Sequence, residues 1–192
     1  MNEKNVKKVA IVGRAKGWQE APFCDPSFEI WSFNDLYKMF RLVPGGRWTR
    51  WLEVHEKLLQ RKKHRQELAA LGCPVYLLDR NRYNDIPNAV QYPFAEIVER
   101  FFCRVNRKQF FTSSMAYFLA LAIHEGFNVV HLYGINQALA SEYVEQLPCS
   151  SFWVGVMVGR GDIDICLHKN SQLLRPEMLY GKRCIGDKKY ER

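Results

Sequence analysis

Apolar and polar positions along this chain fall into blocks that change period, and the blocks name their own elements. The run Lys7-Lys8-Val9-Ala10-Ile11-Val12-Gly13 is short, rich in β-branched residues and closed by glycine, which predicts a buried first strand with a turn at its carboxyl end. Glu29-Ile30-Trp31-Ser32-Phe33 predicts a second strand ending at Asn34, and residues 48–55 alternate well enough to predict a third. Between 56 and 71, Leu58, Leu59, Leu68 and Leu71 recur among charges before Gly72, the pattern of one helix with a glycine stop. Residues 74–78 predict the next strand, 79–88 a polar loop, and 92–102 a helix with Phe94, Ile97, Val98 and Phe101 on one face. Thr112-Ser113-Ser114 opens a helix over 115–125 that Gly126 closes, and Val129-Val130-His131-Leu132-Tyr133-Gly134 is the clearest buried strand. A helix over 150–158 and a strand over 163–167 follow. About six strands interleaved with helices predict a three-layer α/β/α Rossmann-like domain with a mostly parallel sheet, spanning residues 1–181, then a basic tail at 182–192.

Composition narrows the class. With 192 residues, 47% of them hydrophobic, the chain can bury the core of one ordinary domain. Its apolar runs, such as 152–158, fall far short of the ~20 residues that span a bilayer, and residues 1–5 lack the apolar centre of a secretory signal. The expectation is a cytoplasmic protein without a membrane partner. Six cysteines lie at wide, irregular intervals with no CxxC pair, which suits reduced, packed thiols better than zinc ligation. The net charge of +8 gathers at 61–65, at 104–108 and in the tail, so an anionic partner and a merely solvated basic face are both open. Nucleic acid is the less favoured partner, because the aromatics, 14% of the chain, occupy core-like positions instead of alternating with Arg and Lys.

In open parallel sheets, ligands bind outside the carboxyl ends of the strands, so candidate chemistry is found by reading strand ends. Gly13-Arg14-Ala15-Lys16-Gly17 is neither a GxGxxG fingerprint nor a phosphate loop ending in Gly-Lys-Ser/Thr. It reads either as a plain turn or as a phosphate contact through Arg14, Lys16 and exposed amides. Thr112, Ser113 and Ser114 serve as a helix cap, as ligands for phosphate or sugar, or as both. Asn34 and Asn136 each follow an apolar strand, where an amide either forms the turn or reads a base or ribose. His55 stands beside Glu53 and Glu56 and near Arg47 and Arg50, a mixture suited to proton transfer or to holding a leaving phosphate, with a surface hydrogen bond as the plainer role. His168 has the same two readings, whereas His64, His124 and His131 fall within helix or strand patterns and read as structural. Glu142, Tyr143 and Gln146, after the Gly134 turn, form either a flap over the site or the start of a serine-capped helix. No carboxylate cluster is evident, so neither a metal nor a cofactor is expected.

The pieces Val12-Gly13-Arg14, Trp31-Ser32-Phe33-Asn34, Thr112-Ser113-Ser114 with Ala116-Tyr117, and Leu132-Tyr133-Gly134-Ile135-Asn136 together resemble the bacterial sialyltransferases that use CMP-sialic acid, and the related motility-accessory and DUF115-type proteins. The resemblance implies a Rossmann-like fold and a nucleotide pocket lined by Gly13, Asn34, Thr112, Ser113, Gly134, Ile135 and Asn136. Arg14 stands where that group has asparagine, Ser114 where it has glycine and Asn136 where it has aspartate; its late catalytic histidine has only His168 as a counterpart by position. Trp51-Leu52-Glu53-Val54-His55 and Glu142-Tyr143 also resemble small bacteriophage proteins. The functional expectation is a protein that binds a nucleotide or nucleotide sugar and transfers or hydrolyses a group on it, with His55 or His168 moving the proton. Its rivals are a non-catalytic protein that sequesters or senses a nucleotide, and a nucleic-acid or protein interaction module built on the basic surface.

Overall fold

The computed structural model describes residues 6–40, 46–103, 109–137, 143–171 and 173–174. Among these residues, seven parallel strands make one sheet: β1 (Lys8–Val12), β2 (Phe28–Phe33), β3 (Arg50–Glu53), β4 (Val75–Leu77), β5 (Ala89–Gln91), β6 (Val129–Tyr133) and β7 (Asp164–Leu167). Their order across the sheet is β5-β4-β3-β2-β1-β6-β7. The chain steps outward from β1 through β5, then returns to the far side of β1, so the winding reverses between β1 and β6. Such a reversal opens a crevice at the strand carboxyl ends, because the connections on either side of it depart in opposite directions.

Alternation along the strands divides the core between the two faces. Val9 and Ile11 of β1 join Trp31, Leu52, Val130 and Leu132 on one face, against α4 (Phe94–Phe102), α5 (Ser114–His124) and α6 (Tyr143–Arg160). Ala10 and Val12 join Ile30, Trp51, Val75 and Leu77 on the other, beneath Trp18, Tyr37 of the short helix α1 (Tyr37–Phe40), Leu59 and Leu68. Helix α5 lies deepest, with every residue from Met115 to Ile123 except Tyr117 buried, which explains why its sequence is apolar on all sides.

The structure corrects three element boundaries. The seventh strand is β5, whose three residues fall between the expected loop and the expected helix; a three-residue edge strand is too short to show alternation. The single helix expected over 56–71 is two, α2 (Glu56–Leu59) and α3 (Lys62–Ala69), with Arg61 extended between them at φ −85°, ψ 112°. Restarting at Lys62 re-phases the helix so that His64 and Leu68, one turn apart, both face inward. Helix α6 begins at Tyr143, earlier than the helix expected over 150–158 and in keeping with the helix-start reading of 142–146, and carries Pro148 inside it. Among the described residues no helix is long and apolar enough to cross a membrane. The expected boundary at 181/182, the basic tail and the cluster at 104–108 lie outside the described residues.

Candidate functional site

Four strand ends and one helix start meet at the reversal point and enclose a cavity of about 490 Å³. The turns after β1 and β6 are stitched together: Gly13 N–H donates to the Tyr133 carbonyl (2.9 Å) and Ala15 N–H to the Gly134 carbonyl (2.8 Å). Glycine is required on both sides of this seam. A Cβ at Gly13 would stand 2.5 Å from the Gly134 oxygen, while Gly134 adopts φ +61° and a Cβ there would stand 2.6 Å from the Gly13 oxygen. Gly13, Gly134, Ile135, Asn136 and Gln137 line that wall. The Gln137 side chain is buried, and its Oε1 has no hydrogen-bond partner among the described residues.

Opposite lies the amino terminus of α5. Ser113 caps it, its Oγ accepting the Ala116 amide at 3.2 Å and sharing a hydrogen bond with Ser150 Oγ at 3.0 Å. The amides of Ser114 and Met115 belong to the first turn, where a helix offers donors and partial positive charge to an anion. Thr112 lines the cavity too, but its hydroxyl donates to the Glu145 carbonyl (2.7 Å) and ties α6 to this corner. Asn34, after β2, holds a left-handed conformation (φ +56°) that asparagine tolerates. Its backbone N–H donates to the Leu52 carbonyl, its backbone carbonyl accepts the Trp51 indole N–H (3.0 Å), and its Oδ1 accepts from Ser114 Oγ (3.5 Å). Arg14 is the one Lys or Arg side chain among the described lining residues. Asp35 faces the same space, its carboxyl held below the ordinary value chiefly by a 2.7 Å hydrogen bond from Lys38. Phe33, Leu36, Val54, Leu58, Phe111 and Tyr117 make the apolar side, where the Phe111 and Tyr117 rings stand 4.7 Å apart.

His55 lines the cavity just past the end of β3, about half of its side chain exposed. It does not stand alone. Glu53, fully buried, accepts the His55 backbone N–H at 2.7 Å and lies 3.2 Å from its Nδ1 through Oε1; through Oε2 it lies 2.7 Å from His64 Nε2. Burial pushes the Glu53 carboxyl up, but the hydrogen bonds from His55 and His64 outweigh it and hold the group below its ordinary value. His64 Nδ1 lies 2.7 Å from the Tyr37 hydroxyl.

The structure therefore gathers Gly13, Arg14, Asn34, His55, Thr112, Ser113, Ser114, Gly134, Ile135 and Asn136 around one cavity. It does not bring Lys16, Arg47, Arg50 or His168 there. Lys16 is exposed outside the lining, and Arg47 Nη2 donates to the Asp25 (2.6 Å) and Phe28 (2.5 Å) carbonyls. Arg50 opens β3 at the amino end of that strand, away from the carboxyl-end cavity, held by Glu29 (2.7 Å) and Glu125 (2.6 Å) over the Trp31 ring. His168 is packed against Gly17 with its Nε2 3.0 Å from Glu20 Oε2 and its Nδ1 accepting the Asn170 amide. Glu142 and the Tyr143 side chain lie outside the described residues, while Gln146 of α6 reaches the lining. Sequence reasoning missed the apolar side and Gln137, and it treated His64 as structural without its link to Glu53. Among the described residues no three His, Cys, Asp or Glu side chains are placed to hold a metal ion.

No protein-family model and no curated protein sequence matches the chain. Solved structures do. The chain is similar to the sialyltransferase CstII from Campylobacter jejuni in complex with the substrate analogue CMP-3FNeuAc, with 18% identity and TM-score 0.59 over 88% of this chain and 83% of that one. It is similar to the sialyltransferase CST-II in complex with a trisaccharide acceptor and CMP, with 16% identity and TM-score 0.58 over 87% and 83%. An α-2,3-sialyltransferase from Campylobacter jejuni in apo form matches with 14% identity and TM-score 0.59 over 87% and 77%. At these identities the likeness establishes the architecture: a Rossmann-type α/β fold shared with sialyltransferases.

Proposed function

We propose that this protein binds a nucleotide or nucleotide sugar in the crevice between β1 and β6 and transfers or hydrolyses a group attached to its phosphate. One observation carries the reading: Gly13, Asn34, the α5 start at Ser113 and Ser114, and Gly134 to Asn136 are far apart in the chain, yet they line a single cavity at the winding reversal. Phosphate belongs at the first turn of α5, beside Arg14, where amide donors and charge point at an anion. The base or ribose then lies toward Asn34 and Asn136, with the aromatic pair Phe111 and Tyr117 available for stacking. The solved complexes of similar fold with CMP and CMP-3FNeuAc support cytidine nucleotides as the first ligands to try.

Thermal unfolding in the presence of nucleoside monophosphates and nucleotide sugars tests the reading. A ligand at a hundred times its Kd stabilises the fold by about 2.7 kcal/mol, a shift of several degrees for a domain of this size. A folded protein that no nucleotide or nucleotide sugar stabilises refutes it. Mass spectrometry of each ligand that binds then separates an enzyme, which leaves product, from a binder, which returns the ligand unchanged.

A further inference from the structure

Glu53 carries a carboxylate into a fully buried position at the end of β3, where an unpaired charge is strongly unfavourable. Its oxygens are paired, and the pairing fixes protons. A carboxylate only accepts, so His64 Nε2 donates to Glu53 Oε2, and in the neutral His64 ring the bare Nδ1 then accepts from the Tyr37 hydroxyl. Glu53 Oε1 accepts on the His55 side, so His55 Nδ1 carries a proton and Nε2 of the neutral ring is basic. An apolar residue would fill the end of β3 without any desolvation. What the carboxylate adds is control over the tautomer and orientation of an imidazole that lines the cavity.

We propose that Tyr37, His64 and Glu53 form a buried hydrogen-bonded chain that holds His55 as the general base of this site. His55 Nε2 is the reacting atom; Glu53 and His64 are positioning residues. This rests on the reading of the cavity as a site of group transfer from a nucleotide. Nε2 takes the proton of a hydroxyl, from water or from an alcohol, as the oxygen bonds to the transferred group. The bond from that group to the nucleotide phosphate oxygen breaks, and its electron pair leaves with the phosphate. The proton remains on His55, and the Glu53 carboxylate 3.2 Å from Nδ1 stabilises the imidazolium.

Side-chain nitrogen NMR of the full-length protein at about pH 8, where an ordinary histidine is neutral, reads the arrangement without any ligand. The expected spectrum has a protonated Nδ1 and a bare Nε2 at His55, with the reverse at His64. Glu53→Leu removes the acceptor and moves His55 toward the Nε2–H form; the wild-type spectrum decides the question even where that variant does not fold. A His55 ring protonated at Nε2 overturns the proposal, whether or not a nucleotide binds. Conversely, the expected tautomers with no nucleotide-induced stabilisation leave the chain intact and refute the binding reading. For a ligand that is turned over, His55→Gln is expected to retain the thermal shift and to lose product formation by at least about a hundredfold. Unchanged turnover in that variant, or a bound nucleotide sugar left intact by the wild type, overturns the assignment of His55 as base.

Discussion

At the residue scale, two kinds of constraint meet at the cavity: backbone that admits no side chain, and a carboxylate that admits no neighbour other than its donors. Gly13→Ala places a methyl group against the Gly134 oxygen and Ile135, so the β1–β6 seam must spread. The expected loss is about 1–3 kcal/mol in chemical denaturation, accompanied by weaker nucleotide binding. Glu53 predicts an acid sensitivity. Its folded-state carboxyl binds protons less readily than the ordinary value of 4.5, so its contribution to stability is present above that pH and is lost as pH falls through the lower folded value. Urea midpoints of the wild type should therefore fall below pH 4.5 more steeply than those of Glu53→Gln, which has no proton to gain there. Parallel curves for the two proteins would show that Glu53 is not the ionised group described. Gly13, Gly134 and Asn34 were readable as site candidates because strand ends are marked locally. The significance of His64 was not, since an inward histidine on a helix looks the same with or without a buried carboxylate opposite it.

At the element scale, α5 does the most for the site. It is held by an apolar surround, and its first turn is fixed by Ser113. Ser113→Ala removes the cap on Ala116 and the partner of Ser150, and is expected to cost about 1 kcal/mol in unfolding free energy. The same variant should weaken nucleotide affinity, read by calorimetric titration, because the first-turn amides lose their fixed direction; unchanged affinity would place the phosphate elsewhere. The limits of α5 were legible from the serine run and Gly126, which are local signals. The start of α6 was legible only as one of two readings of residues 142–146, since nothing local separates a flap from a helix start there, and the helix then runs on through Pro148. Likewise α2 and α3 read as one helix, since the break at Arg61 is set by which residues must face the sheet and Glu53.

At the scale of the whole molecule, the reversal between β1 and β6 opens the crevice in which the proposed ligand would sit, and it predicts a spatial pattern of protection. With a saturating nucleotide, hydrogen exchange should slow at residues 13–15, 34–36, 113–115 and 134–137, which line the cavity, and stay unchanged at β4 and β5, remote in the strand order. Slowing confined to the sheet's far edge would put the ligand outside this crevice. The sequence by itself determined the α/β class, six of the seven strands, the buried helix α5 and the glycine and asparagine turns, because each is written in a local period or a local backbone requirement. Tertiary structure alone decided the rest. The order that returns the chain to β1 brings Gly13 beside Gly134; Arg50 is left at the amino end of β3 and His168 packed on Gly17. The re-phased α3 delivers His64 to Glu53. The physical reason is that these partners are chosen by strand order and helix phase between distant segments, and a period of two or 3.6 residues records which face is buried but not what it is buried against.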